Sequence, residues 1–167
     1  MVLLDNAVSE AVNMVVVDKT GTITKGKPTL VDIVNLSELK DDELVSILAS
    51  LEKKSEHPIA HAVSEYAKDK NITLSAASHF EILRGRGLKA VIDGNEYFAG
   101  NTKLISDLGL SFDLQKIEAD TLQGKTPIIL ATKNEVLGVV MVADAIKPEA
   151  IEAVKELHKL GIRTVML

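Results

Sequence analysis

Asp18 ends the run Val15-Val16-Val17 and is followed at once by Lys19, Thr20, Gly21, Thr22 and Thr24. A carboxylate with an ammonium group beside it and hydroxyls behind it is a candidate nucleophile toward a phosphoryl group. An isolated Val-Asp pair is more simply a strand ending in a turn cap. The length of the polar run after Asp18 tips the reading toward chemistry. Other short runs stand out: Ser55-Glu56-His57-Pro58, and Gly85 and Gly87 flanking Arg86. His57 and His61, four apart, read equally well as surface histidines. A His-Glu-x-x-His zinc helix is excluded, because Pro58 and Ile59 follow His57. Gly85-Arg86-Gly87 is no dinucleotide fingerprint, which needs a helix where a hairpin strand is expected.

The elements that must hold these groups are legible from periodicity. An unbroken valine run suits a strand buried on both faces of a parallel sheet. Ligands of such sheets bind at the carboxyl ends of strands, where Asp18 falls. The pattern predicts a short helix over Asn6–Asn13, a strand over 14–18, a loop from Lys19 to Lys27 ended by Pro28, and a strand over Thr29–Val34. Asp41-Asp42-Glu43 suits the positive end of a helix dipole. Leu44, Ile47, Leu48 and Leu51 recur behind it with helical period. A second helix starts near Ser55–Pro58, proline being tolerated in the first turn. Phe80–Leu83, Leu88–Ile92 and Tyr97–Ala99 read as strands, the last two joined by Asp93-Gly94. Helices are expected over 101–108 and 112–123, and strands over Pro127–Thr132 and Val136–Val142. Pro148 opens a helix that Gly161 stops. Ile162–Leu167 then completes the strand-helix-strand order of a parallel sheet. The expected class is α/β: an incomplete parallel domain over 1–26 and 142–167, interrupted by an α+β antiparallel-sheet domain over 27–141.

Composition narrows the function classes. A chain of 167 residues suits one ordinary domain, or one domain and part of another. With 46% apolar residues it can build a packed core. A net charge of −5 argues against nucleic acid as a partner. The absence of cysteine removes disulfides and thiolate metal sites. No apolar run approaches the ~18 residues that cross a bilayer, and the start lacks a signal-peptide pattern, so this piece is not expected to insert in a membrane. Aromatics are only 3% of the chain, so a nucleobase would be held largely by aliphatic side chains and a histidine.

The run Asp18-Lys19-Thr20-Gly21-Thr22-Ile23-Thr24 resembles the phosphorylation signature of P-type ATPases, which belong to the haloacid-dehalogenase-like superfamily. Ser55-Glu56-His57-Pro58 resembles the Ser-Glu-His-Pro motif of their heavy-metal-transporting branch. Gly85-Arg86-Gly87, Gly100-Asn101 and Asp144-Ala145-Ile146-Lys147-Pro148 follow in family order. The resemblance implies that Asp18, with Lys19 and Thr20, takes the γ-phosphate of ATP as an aspartyl phosphate, and that Asp18 and Thr20 help hold Mg²⁺. It implies a nucleotide pocket of Glu52, Glu56, His57, Gly85, Gly87, Gly100 and Asn101, with His57 against the adenine. The first domain would then be a partial phosphorylation domain and the insertion a nucleotide-binding domain binding ATP or ADP. The partners implied are the transmembrane and actuator domains of the same pump, which places the chain on the cytoplasmic side of an integral membrane protein. Copper is the first expectation for the ion.

Two departures bear on activity. Superfamily phosphatases carry a second aspartate two residues after the first, where this chain has Thr20, which neither protonates a leaving group nor activates water at neutral pH. That favours a pump over a soluble phosphatase. The family continues past Val165-Met166-Leu167 with Thr-Gly-Asp, a catalytic lysine and an acidic Mg²⁺ segment, which this chain lacks. Full turnover is therefore not expected of the chain alone, and a nucleotide-binding module without catalysis is the remaining alternative.

Overall fold

A computed structural model describes residues 12–166 other than 54, 56 and 114. Most of the helix expected over Asn6–Asn13, and all of Glu56, lie outside the described residues. The chain divides into two units: residues up to Lys27 together with Asp144–Leu167, and Pro28–Ala143.

In the first unit, β1 (Met14–Val17) pairs in parallel with β8 (Arg163–Met166), Met14 facing Arg163 and Val17 facing Met166. A parallel pair cannot close through a tight hairpin, so a long crossover is required. Helix α5 (Pro148–Lys159) supplies its last part, with Pro148 in the first turn where a missing N–H costs nothing. Asp18 follows β1 directly and leads into a tight turn over Lys19–Ile23.

The second unit is a six-stranded sheet in the order β2-β7-β6-β5-β4-β3. Its strands are β2 (Thr24–Asn35), β3 (Ala77–Leu83), β4 (Gly87–Ile92), β5 (Asn95–Gly100), β6 (Thr126–Ala131) and β7 (Val136–Ile146). The neighbours from β3 through β7 pair antiparallel. Asp93 and Gly94 both take positive φ, as a two-residue hairpin turn of the favoured hand requires. Strand β2 begins at Thr24, five residues before the strand expected from Thr29, and runs through Pro28. That is tolerated because β2 is an edge strand, where the proline's missing donor leaves no ladder bond unmade.

Helices α1 (Asp41–Glu52) and α2 (Pro58–Asp69) cover one face of this sheet, and α3 (Thr102–Asp107) and α4 (Gln115–Leu122) contribute to the other. Leu44, Leu48, Leu51 and Val63 pack with Ile128, Leu130 and Val140 in the first core. Ile105 and Ile117 pack with Ile129, Val139 and Met141 in the second. The central strands β6 and β7 thus send alternate residues into two different cores. Their nearly unbroken apolar sequence follows from burial on both faces rather than from parallel pairing.

Candidate functional site

The second unit carries a cleft of about 410 Å³, within the usual size range of ligand pockets. Four separate stretches of chain build it, the last of them in β6. Helix α1 contributes Glu52 at its carboxyl end, and Ser55 and His57 come from the link to α2. The turn between β3 and β4 contributes Gly85 and Gly87, and the end of β5 contributes Gly100 and Asn101. Ile59, Ile82, Leu83, Leu88, Pro127 and Ile128 supply the apolar lining. Ile82 is 65% exposed, so a large apolar surface stands open beside the polar groups.

Each polar group is fixed by local chemistry. His57 is the N-cap of α2: its Nδ1 accepts the N–H of Ile59 at 3.3 Å, which leaves Nε2 as the proton-bearing nitrogen. Glu52 is only 8% exposed, and burial pushes its carboxyl above the ordinary value, against a smaller opposing effect of a hydrogen bond from Ser55. Asn101 caps α3 through Oδ1, which accepts from the N–H groups of Lys103 and Leu104 at 3.0 and 3.2 Å. Its Nδ2 donates to the Gly85 carbonyl at 3.0 Å, and its own N–H donates to the Arg86 carbonyl at 2.9 Å. One residue therefore caps a helix and pins the turn that carries both glycines.

The glycines divide by role. A Cβ on Gly87 would lie 2.1 Å from the Ala99 carbonyl oxygen, and one on Gly100 would lie 2.2 Å from that of Arg86. These two face each other in the ladder and are glycine because β4 and β5 approach too closely there for any side chain. Gly85 has φ +71 and open space above its Cα. It alone of the three leaves room for a side chain.

In the first unit, Asp18, Lys19 and Thr20 are exposed, and the Asp18 carboxylate makes no capping bond into the turn that follows. What holds that turn was not among the residues singled out for chemistry. Thr24, 2% exposed, donates its hydroxyl to Asp144 at 2.5 Å and accepts the N–H of Gly21 at 3.3 Å. Asp144 also accepts the N–H groups of Gly26 and Lys27 at 3.1 and 3.2 Å. Lys147 donates from Nζ to the Gly21 carbonyl and from its backbone N–H to the Ile23 carbonyl at 2.9 Å. The loop after Asp18 is thus held by side chains from Asp144 and Lys147. Their signal in the sequence was the Asp144-x-x-Lys147-Pro148 segment, which spacing alone does not connect to Asp18.

Among the described residues no three His, Asp or Glu side chains are grouped to hold a metal ion. Mg²⁺ commonly binds one or two carboxylates and fills its shell with water and substrate phosphate. Asp18 offers one such carboxylate, and it is exposed.

A family model described as haloacid dehalogenase-like hydrolase matches residues 12–167. A copper-exporting P-type ATPase of Staphylococcus aureus (strain bovine RF122 / ET3-1) is 39% identical over 162 residues, 93% of this chain. The one from strain JH9 is 38% identical over the same share. The chain spans about a fifth of these relatives, 19% of their length. Among solved structures, a zinc-transporting PIB-type ATPase in its E2.Pi state superposes with a TM-score of 0.70 at 26% identity, over 93% of this chain and 25% of that one. The N-domain of HMA8, a copper-transporting P-type ATPase, superposes with a TM-score of 0.57 at 24% identity, over 71% of this chain and 99% of that one, a likeness of fold.

Proposed function

The chain belongs to the haloacid dehalogenase-like hydrolase family, and from that premise we propose that it is the ATP-binding and phosphoryl-accepting part of a heavy-metal P-type ATPase on the cytoplasmic side of the membrane. Copper is the proposed ion, in keeping with the copper-exporting relatives. The transmembrane and actuator domains of the same pump are its proposed partners. The observation that carries the reading is the cleft in which Glu52, His57, Gly85, Gly87, Gly100 and Asn101 meet from three separate stretches of chain.

The cleft's chemistry suits adenine. Its apolar walls offer a slot for a flat ring, and Glu52 and His57 offer polar contacts at its edge. The aliphatic lining answers the scarcity of aromatics. ATP held there passes its γ-phosphoryl group to Asp18. A carboxylate oxygen attacks the phosphorus, the bond to the β,γ-bridging oxygen breaks, and ADP leaves with that oxygen. Mg²⁺ held by Asp18 and Thr20 would offset charge on the transferred group. With a hydroxyl at Thr20 rather than a second carboxyl, no general base stands two residues from the acyl phosphate, and the intermediate persists. The same residue argues against a soluble phosphatase.

Nucleotide binding is the first activity proposed for this chain, with phosphoryl transfer needing further Mg²⁺ ligands. Calorimetry with ATP tests it using His57→Asn, since asparagine is itself a good N-cap and keeps α2 started while removing the ring. Lost ATP affinity with retained folding supports the site; undiminished affinity would sink it. Incubation with γ-labelled ATP and Mg²⁺ tests the second step. Acid-stable, hydroxylamine-sensitive label that Asp18→Asn abolishes would show that the chain retains transfer.

A further inference from the structure

Arg86 is the one lysine or arginine among the described residues that line the cleft. Its backbone cannot drift: its N–H donates to the Leu83 carbonyl at 2.9 Å, and its own carbonyl accepts from Asn101 at 2.9 Å. Its side chain is held as well, because Nε donates to the Asp107 carboxylate at the end of α3. Both partners are half-exposed, with side-chain accessibilities of 46%. A guanidinium has five N–H donors in a rigid fork, and the bond to Asp107 uses only the one on Nε. The terminal amino groups stay available at the rim of a cleft whose other charged lining residue, among those described, is Glu52.

A nucleoside polyphosphate brings several negative charges, and adenosine brings none. We infer that Arg86 is the residue through which this cleft reads the phosphate chain, and that Asp107 sets the strength of that reading by holding Arg86 in place and neutralising part of its charge. The inference rests on the nucleotide-site reading and extends it: base and phosphates are recognised by separable groups, with opposite consequences for removing Arg86 and removing Asp107. A carboxylate beside the cation of a phosphate site weakens the pull on phosphate, since two like charges then share one partner.

Calorimetric titration of the 167-residue chain with adenosine, AMP, ADP and ATP tests this. The quantity to compare is the ratio of ATP affinity to adenosine affinity. Arg86→Gln should lower that ratio about two- to fivefold, the range exposed charge pairs give, and Asp107→Asn should raise it by a similar factor. Arg86→Lys keeps the charge without the fork and should restore most of the ratio. The ratio in the unmutated chain should also fall as salt rises from 0.05 to 0.5 M, roughly the range over which screening lengths halve or better. An unchanged ratio in either Arg86→Gln or Asp107→Asn, or a shift in the same direction in both, would overturn the inference while leaving the adenine site standing. Failure of the unmutated chain to bind adenosine at all would overturn the site as well. Circular dichroism of each variant separates loss of folding from loss of recognition.

Discussion

Alanine at Gly87 and alanine at Gly85 should damage different properties, although the two glycines are two residues apart. At Gly87 the new Cβ would stand 2.1 Å from the Ala99 carbonyl oxygen and 2.6 Å from the Gly100 Cα. Carbon and oxygen that are not bonded approach to roughly 3.3 Å. The strands must therefore part by more than about 1 Å at the Gly87–Gly100 pair, and both obstacles are backbone that cannot swing aside. Overpacking of this kind costs about 1–3 kcal/mol. The φ of +153, open to glycine and strained for alanine, adds about 1–3 kcal/mol more. At Gly85 nothing lies within 4 Å, and the left-handed φ of +71 alone costs about 1–2 kcal/mol.

Both tyrosines of the chain, Tyr66 and Tyr97, lie in the Pro28–Ala143 unit, so urea unfolding followed by tyrosine fluorescence reports that unit alone. The expected result is a clearly larger loss of stability for Gly87→Ala. For Gly85→Ala, a modest stability loss should come with reduced ATP affinity in calorimetry, because Gly85 lines the cleft. A Gly85→Ala variant less stable than Gly87→Ala would refute the division of roles.

Three more outcomes follow from the same geometry. His57→Ala should lose about 1 kcal/mol of stability that His57→Asn retains, because only the alanine removes the cap of α2; equal losses in urea would show that the ring, not the cap, matters to folding. Glu52→Gln should stabilise the second unit at pH 7. Burial raises the folded carboxyl above the ordinary 4.5, so the unfolded state ionises first as pH rises and native stability falls through that window. The gain over wild type should shrink to nothing below pH 4.5, and a pH-independent gain would remove desolvation as its cause. Asp144→Asn should expose the amides of Gly26 and Lys27 to hydrogen exchange at least about tenfold faster, since hydrogen bonds to a charged acceptor are worth about 1.5–3 kcal/mol. Unaltered protection at those two amides would mean that the carboxylate does not hold the loop.

Much of the fold was legible because its signals are local. The leucine spacing from Leu44 to Leu51, the Asp93-Gly94 turn and the proline at the head of α5 each specify their element within a few residues. The start of strand β2 is not legible in the sequence, because Pro28 breaks most strands and only the sheet order shows that β2 lies at an edge. The alternation hidden in β6 and β7 was likewise illegible, since Ile128 and Ile129 are the same residue type committed to opposite cores. A run buried on both faces carries no period to read.

The candidate site was legible in its ligand-facing types and much less so in what holds them. His57 and Asn101 could be named from the family resemblance, yet both are also helix caps, and Asn101 ties the Gly85 turn to α3 across 16 positions of chain. Thr24 is the last residue of the polar run after Asp18, and nothing in the run distinguishes its hydroxyl from those of Thr20 and Thr22. Its burial and its bond to Asp144, 120 positions away, come from the chain returning alongside itself. The two loops are thus secured by one device: a short polar side chain on the returning segment satisfies the backbone groups a tight turn leaves unpaired. Such a residue is chosen by where backbone donors and acceptors point, so its identity is set by the folded loop and not by its own neighbours in sequence. That is why a residue such as Asn101 or Asp144 can be named before the fold is known, and its work in holding a loop cannot.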